Sequence, residues 1–301
     1  MMKPAPFRYE APQSLPVALA LLEQHGRAAR VLSGGQSLLP ALNFRSIQVE
    51  VLVDINRLAE LAFVRLAPAG SLRIGGLTRQ RALEFDPLVE QYAPLMHQAV
   101  PYIAHPAIRN RGTIGGSLAY ADPAAEQPAV NLALGSRFRA ASARGSRWIA
   151  AEDFFRGFSW TALEPDEILV EIEIPAMDIH SGWGFSETAR RHGDRVMMGA
   201  AVTVSLDEDG KCCRARLAYM NAGDRSLLAK QAAGVLVGNR LTAEVMRAAG
   251  EAACQEIDPP GDIDTPPAYQ RFLAYELTLQ ALTQAAERAK ASLMGGERSR
   301  Q

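Results

Sequence analysis

Apolar residues recur at helical spacing near the start of the chain. Leu15, Ala18, Leu19 and Leu22 share one face, Ser14 stands where an N-cap belongs and Gly26 lies just past the end, so a helix is expected within 7–30. A strand follows at 29–32, then a short helix through 40–44. The run at 49–55 is continuously apolar, as a buried parallel strand is. Together these make a small β-α-β lobe ending near Leu61.

From Ala62 the pattern shortens to strands at 63–66 and 72–75 around the turn Pro68-Ala69-Gly70, with Thr78 capping a helix to 85. One long helix is expected over 87–99, with Leu88, Ala93, Leu95, Met96 and Ala99 apolar. Another runs through 128–134, with Asp122 as N-cap and Pro123 in the first turn. Strands at 138–141 and 148–149, a helical turn at 152–155 and a strand at 168–174 stopped by Pro175 complete a second lobe. Past a linker-like 177–184 come strands at 184–190, 196–206 and 214–221, with Glu208-Asp209-Gly210 as a hairpin turn. Helices at 227–237, 242–257 and 267–291 follow, with Pro259-Pro260-Gly261-Asp262 as a loop. The expected architecture is α+β: a two-lobed domain over 1–176 (lobes 1–61 and 62–176), an antiparallel sheet backed by helices over 177–291, and a tail at 292–301, without structure from Gly295.

Composition narrows the function. The 301 residues are 48% hydrophobic and carry a net charge of -1, which suits a globular protein and gives no electrostatic footprint for nucleic acid. The stretch 1–16 has no apolar signal-peptide region and no run reaches the length of a membrane span, so the cytoplasm is expected. The cysteines, Cys212, Cys213 and Cys254, are too few for a four-thiolate cluster and badly placed for a disulfide framework. None of the five histidines has a nearby Ser/Asp partner that suggests hydrolysis.

Two stretches carry candidate chemistry. Val31-Leu32-Ser33-Gly34-Gly35-Gln36-Ser37-Leu38 and Thr113-Ile114-Gly115-Gly116-Ser117 each join an apolar entry to a glycine pair, polar donors and a helical continuation. Adjacent glycines let backbone approach a ligand, and N–H groups with the hydroxyls of Ser33, Ser37, Thr113 and Ser117 and the Gln36 amide can hold phosphate. One such loop is more simply a tight turn; two suit a dinucleotide. Neither is a G-x-G-x-x-G or P-loop motif. The third pair, Gly75-Gly76, is not followed directly by Ser or Thr and is expected to be structural.

The pair S-G-G-Q-S-L-L-P (33–40) and R-N-R-G-T-I-G-G-S-L-A-Y-A-D-P-A-A-E (109–126) resembles the FAD-binding medium subunit of the molybdenum hydroxylases, the family of carbon monoxide dehydrogenase and xanthine dehydrogenase. The resemblance implies a cofactor domain of the vanillyl-alcohol-oxidase type and FAD contacts from both loops. It also implies that Glu126 contacts FAD, that Ile103 and Ala104 flank the flavin, and that Leu169 packs near its ring systems. Some similar proteins have a lysine where Ser186 stands, and a segment matching 190–195 can gate access. The implied partners are a large molybdopterin subunit and a small 2Fe-2S subunit in a dimer of heterotrimers, with an external electron acceptor. A free-standing flavoenzyme and a nucleotide-binding scaffold are the alternatives.

Overall fold

Three parallel strands begin the fold in the computed structural model, which describes residues 3–263 and 265–298. β1 (Arg8–Glu10), α1 (Leu15–His25), β2 (Ala29–Leu32), α2 (Leu38–Asn43) and β3 (Val51–Asp54) follow in the chain, and the strands lie in the order β1-β3-β2. The β-α-β lobe is therefore present. β1 escapes sequence reading because its polar residues are largely exposed and give no apolar alternation. Ser14 does precede α1, but its side chain makes no capping bond.

The chain continues through β4 (Val64–Leu66), β5 (Leu72–Gly75), α3 (Gln80–Leu83), α4 (Pro87–Tyr92), α5 (Pro94–Ala99), α6 (Pro106–Arg109), α7 (Ile114–Tyr120) and α8 (Glu126–Leu134). Next come β6 (Arg137–Ser142), β7 (Gly145–Ala150), α9 (Ala151–Phe154), β8 (Phe155–Gly157), β9 (Trp160–Thr161) and β10 (Ile168–Ile174). An antiparallel sheet in the order β4-β5-β10-β6-β7 buries Leu72, Ile74, Phe138, Ile172 and Ile174 on one face. Its other face is laced with Arg–Glu pairs around Glu171 and Glu173.

Two expectations fail here for local reasons. The single helix over 87–99 is two, because Pro94 cannot continue α4 and the preceding Ala93 is pushed out of helical geometry (φ -138°, ψ 54°). Asp122 does not cap the next long helix; its Oδ1 accepts from Ala124 N at 2.9 Å in a local turn, and α8 starts at Glu126 with Ala125 at its N-cap.

The third sheet is β11 (Ser181–Ala189), β12 (Val196–Leu206), β13 (Cys212–Met220) and β14 (Leu227–Leu228), antiparallel in sequence order. α10 (Lys230–Leu236), α11 (Ala243–Glu256) and α12 (Pro267–Arg298) complete the chain. Leu227 and Leu228, expected in a helix, instead pair with β13. α12 runs past the expected end at 291 and through Gly295 to Arg298, so 292–298 is helix rather than tail, while 299–301 lies outside the described residues.

α8 ties the halves together. All nine of its residues are buried, and it packs against α5 on one side and β12 and β13 on the other. On the opposite face of the third sheet α12 lies against β11, and a Cβ at Gly184 would stand 2.0 Å from Ala281 O. Gly184→Ala must therefore push α12 off the sheet, and a loss of about 1–3 kcal/mol is expected. A urea midpoint equal to that of the parent chain would contradict this close seam.

Candidate functional site

The first glycine loop leaves β2 at Leu32 and turns through Gly35, whose φ of 72° suits glycine. Among the described residues the N–H groups of Gly34, Gly35, Gln36 and Ser37 have no hydrogen-bond partner, while Gln36 Nε2 donates to Gly34 O at 3.1 Å and braces the loop. A run of free N–H groups around a left-handed residue is an anion cradle. The side chains of Val31, Leu32 and Leu38 pack against the apolar lobe, that of Leu32 buried and the other two half-buried.

The second loop is built differently. Thr113 caps α7 by accepting from Gly116 N at 3.0 Å, and its hydroxyl donates to Ser33 Oγ at 3.1 Å. Ile114 and Gly115 donate to Thr78 O and Gly76 O, and Ser117 to Thr113 O. The N–H groups of 114–117 are therefore spent within the fold. The N–H donors expected of this loop are engaged within the fold instead.

The two loops meet backbone to backbone. A Cβ at Gly34 would lie 2.5 Å from Arg111 O, and one at Gly115 would lie 2.5 Å from Gly76 O. Gly76 in turn abuts Leu169 O, with 2.2 Å left for a Cβ. The pair Gly75-Gly76 is thus packing, as expected. Leu169 is buried in the large core beside the β10 bulge, and its carbonyl supports Gly76. Asn56 fastens the edge of the junction: it donates to Ser33 O at 2.7 Å and accepts from Arg79 at 2.7 Å, while Arg79 also donates to Arg111 O. Burial would raise the Asp54 carboxyl, but hydrogen bonds from Tyr9 and Asn56 and the charge of Arg57 hold it below its ordinary value. No motif flagged Asn56 or Arg79, since single polar residues between strands carry no period.

Beyond α7 lies a cleft of about 320 Å³, whose lining includes Ile103, Ala104, Asp122, Glu126 and the segment 193–196. Ile103, Ala104 and Glu126, far apart in sequence, are brought together here. Arg109 makes that possible: 4% exposed, it pairs with Glu84 at 3.0 Å and donates to the carbonyls of Pro101, Ile103 and Ala104. Those bonds hold Ala104 at a positive φ of 43°, a strained value for a residue with a Cβ. From the other side Arg195 pairs with Asp122 at 3.4 Å, and Tyr102 contacts His192 and Phe185 edge-on or tilted at 5.8 and 5.2 Å. Ser186 faces away from this role, donating to Gln280 on α12 at 2.7 Å. A larger cleft of about 660 Å³ beside Trp183 and Arg288 contains none of the predicted residues.

Glu126 is 8% exposed, and burial, with Asp122 adding, pushes its carboxyl up to about 7 against its own N–H and Arg109. Glu187, which sequence reading missed, is raised to about 8 by burial and by Glu126.

The family described as the FAD binding domain in molybdopterin dehydrogenase matches residues 5–177, and the CO dehydrogenase flavoprotein C-terminal domain matches 183–285. This chain belongs to the FAD-binding subunits of the molybdopterin dehydrogenases, an oxidoreductase flavoprotein family. It is similar to the 6-hydroxypseudooxynicotine dehydrogenase complex subunit alpha of Paenarthrobacter nicotinovorans, 39% identical over 96% of this chain and 97% of that one. Caffeine dehydrogenase subunit beta of a Pseudomonas species is 40% identical over 95% and 97% of the two chains. Among solved structures, carbon monoxide dehydrogenase from Hydrogenophaga pseudoflava superposes with a TM-score of 0.92 at 36% identity, covering 95% of this chain and 99% of the other.

The buried carboxyls yield a test with a defined sign. In the folded chain Glu126 and Glu187 keep protons that the unfolded chain releases near 4.5, so stability falls as pH rises from there through about 7 to 8. Glu187→Gln removes one such group. Its urea midpoint, measured against the parent, should therefore improve steadily between roughly pH 5 and 8; parallel curves would show that Glu187 ionises freely.

Proposed function

We propose that this chain is the FAD-carrying electron-transfer subunit of a molybdenum hydroxylase. It takes electrons from 2Fe-2S centres on a small partner subunit, downstream of a molybdopterin centre on a large one, and passes them to an external acceptor. Residues 1–176 form the cofactor domain and 177–291 a second domain, with 193–196 closing one side of the cleft. The complex is assigned as a dimer of heterotrimers in the cytoplasm. No described helix is long and apolar enough to cross a membrane.

The carrying observation is the cradle of free N–H groups at 34–37, seated against Arg111 and Gly112 and joined through α7 to the Glu126 cleft. In this reading the cradle and the hydroxyls of Ser33, Ser37 and Ser117 hold the diphosphate of FAD. Thr113 keeps the Ser33 hydroxyl aimed, and the backbone of Ile114, Gly115 and Gly116 forms the floor. Glu126 accepts from a cofactor hydroxyl, while Ile103 and Ala104 form an apolar wall for the flavin. Leu169 supports the seam from below. The bound flavin supplies the one- and two-electron chemistry that joins iron–sulfur centres to a two-electron acceptor.

A Cβ at Gly116 would lie 2.6 Å from Ser33 Oγ and 2.7 Å from Thr113 Oγ1. Gly116→Val should therefore fold but purify colourless, while the parent is yellow and bleaches with dithionite. Stoichiometric flavin in that variant would refute the assignment. Glu126→Gln should retain FAD more weakly, by about 1.5–3 kcal/mol in a fluorescence titration. In stopped-flow absorbance the isolated chain should stay oxidised with any organic substrate of the complex and bleach once the partner subunits are added; rapid bleaching of the isolated chain would instead mark a free-standing flavoenzyme.

A further inference from the structure

Arg79 is half-buried, and among the described residues no carboxylate bonds its guanidinium. It lies between β5 and α3, where its backbone pairs with Thr113 in an antiparallel bridge flanked by two bonds, Ile114 N–H to Thr78 O at 3.1 Å and Gln80 N–H to Gly112 O at 2.9 Å. The main chain thus fixes Arg79 to the second glycine loop. Its side chain crosses the seam toward the first, Nη1 donating to Arg111 O and Nη2 to Asn56 Oδ1 at 2.7 Å. Both acceptors are neutral. Asp54 attracts Arg79 but accepts from Tyr9 and Asn56 instead, and Arg111 repels it. A cation drawn partly out of water loses solvation that an opposite charge normally offsets. This one has no bonded counter-charge and stands beside a row of free N–H groups.

Its two acceptors border the start of the cradle. Asn56 Nδ2 donates to Ser33 O at 2.7 Å, and Asn56 is itself braced by Asp54, which takes its N–H at 2.9 Å and the Tyr9 hydroxyl at 2.6 Å. In a trans peptide the N–H points opposite to the C=O, so holding Ser33 O on Asn56 turns the Gly34 N–H away from it. On the other side of Gly34 stands Arg111 O, where a Cβ would come within 2.5 Å. Arg79 therefore controls both walls, one directly and one through Asn56.

We propose that Arg79 is a positioning residue for the diphosphate of a nucleotide: its two bonds set the width and aim of the cradle from behind, and its charge is balanced by the anion the cradle holds. That this nucleotide is FAD rests on the proposed function; the action of Arg79 on the cradle does not.

ADP carries the diphosphate without the flavin, so ADP and FAD separate the two statements. Binding of each to the full chain freed of cofactor is measured by calorimetry. Arg79→Gln should weaken both by the same factor, roughly tenfold, as befits a lost bond from a charged donor. The absorption spectrum of FAD at saturation should stay that of the parent, because its ring lies in the Glu126 cleft. Arg79→Lys should recover part of the loss, since an ammonium keeps the charge but cannot span both acceptors. Asn56→Leu should cost a similar factor, and the double variant no more than the worse single one, as for two residues acting as a unit. If the two residues only held the lobes together, the urea midpoint would fall while ADP affinity stayed that of the parent. That result, or losses that simply add, would overturn the proposal. A shared loss for ADP in a chain that takes no FAD would keep Arg79 in its role and remove the flavin reading; a parent chain that binds neither would overturn both.

Discussion

Backbone packed directly on backbone is the constraint on which this structure rests. Gly34 lies on Arg111 and Gly112, Gly115 lies on Gly76, and Gly76 lies on the carbonyl of Leu169. This column joins the parallel lobe to the antiparallel one with no side chain between them. Because peptide units are rigid, the spacing of the two loops is fixed more tightly than any pair of rotamers could fix it. The N–H groups of Ile114 and Gly115 are consumed in the seam and those of Gly116 and Ser117 on Thr113, while those of 34–37 are left without a partner. One loop is the floor and the other the cradle.

Around the column, charged groups serve geometry. Arg109 is almost completely buried, and its fork satisfies Glu84 and three carbonyls at once, which is what holds Ala104 in its left-handed conformation. A lysine in that position could not reach the same set of acceptors. Burial would raise Glu84, but hydrogen bonds and charge from Arg109 and Arg81 hold it below its ordinary value. Glu126 and Glu187 are the opposite case, one carboxyl buried and the other half-buried without a dedicated cation.

Much of this was legible in the sequence where the signal is local. The β-α-β lobe, the two glycine loops, the strand stopped by Pro175 and the long strands of the second half all follow from period and turn chemistry. What failed was also local: Pro94 divides a helix whose apolar face reads as continuous, and Asp122 satisfies a turn rather than a helix end. The site was only half legible, because its remaining determinants are pairings between distant residues. Nothing in the spacing shows that Thr113 reaches Ser33 or that Asn56 and Arg79 fasten the same seam. Polar residues at such positions look solvated until the register of the sheets is known.

The cleft beside Glu126 draws its lining from both matched families, with Ile103 to Glu126 on one side and Gly193 to Val196 on the other. Whatever occupies it is therefore a further fastener between two bodies already joined through α8, a shared apolar core and bonds such as Gln98–Gln284 and Arg216–Glu152. By mass action a ligand at a hundredfold excess over its dissociation constant adds about 2.7 kcal/mol to the form that binds it. That increment favours the arrangement in which the two halves meet at the cleft. Heated with its cofactor in place, the chain should hold its halves together to a higher temperature than when stripped of it.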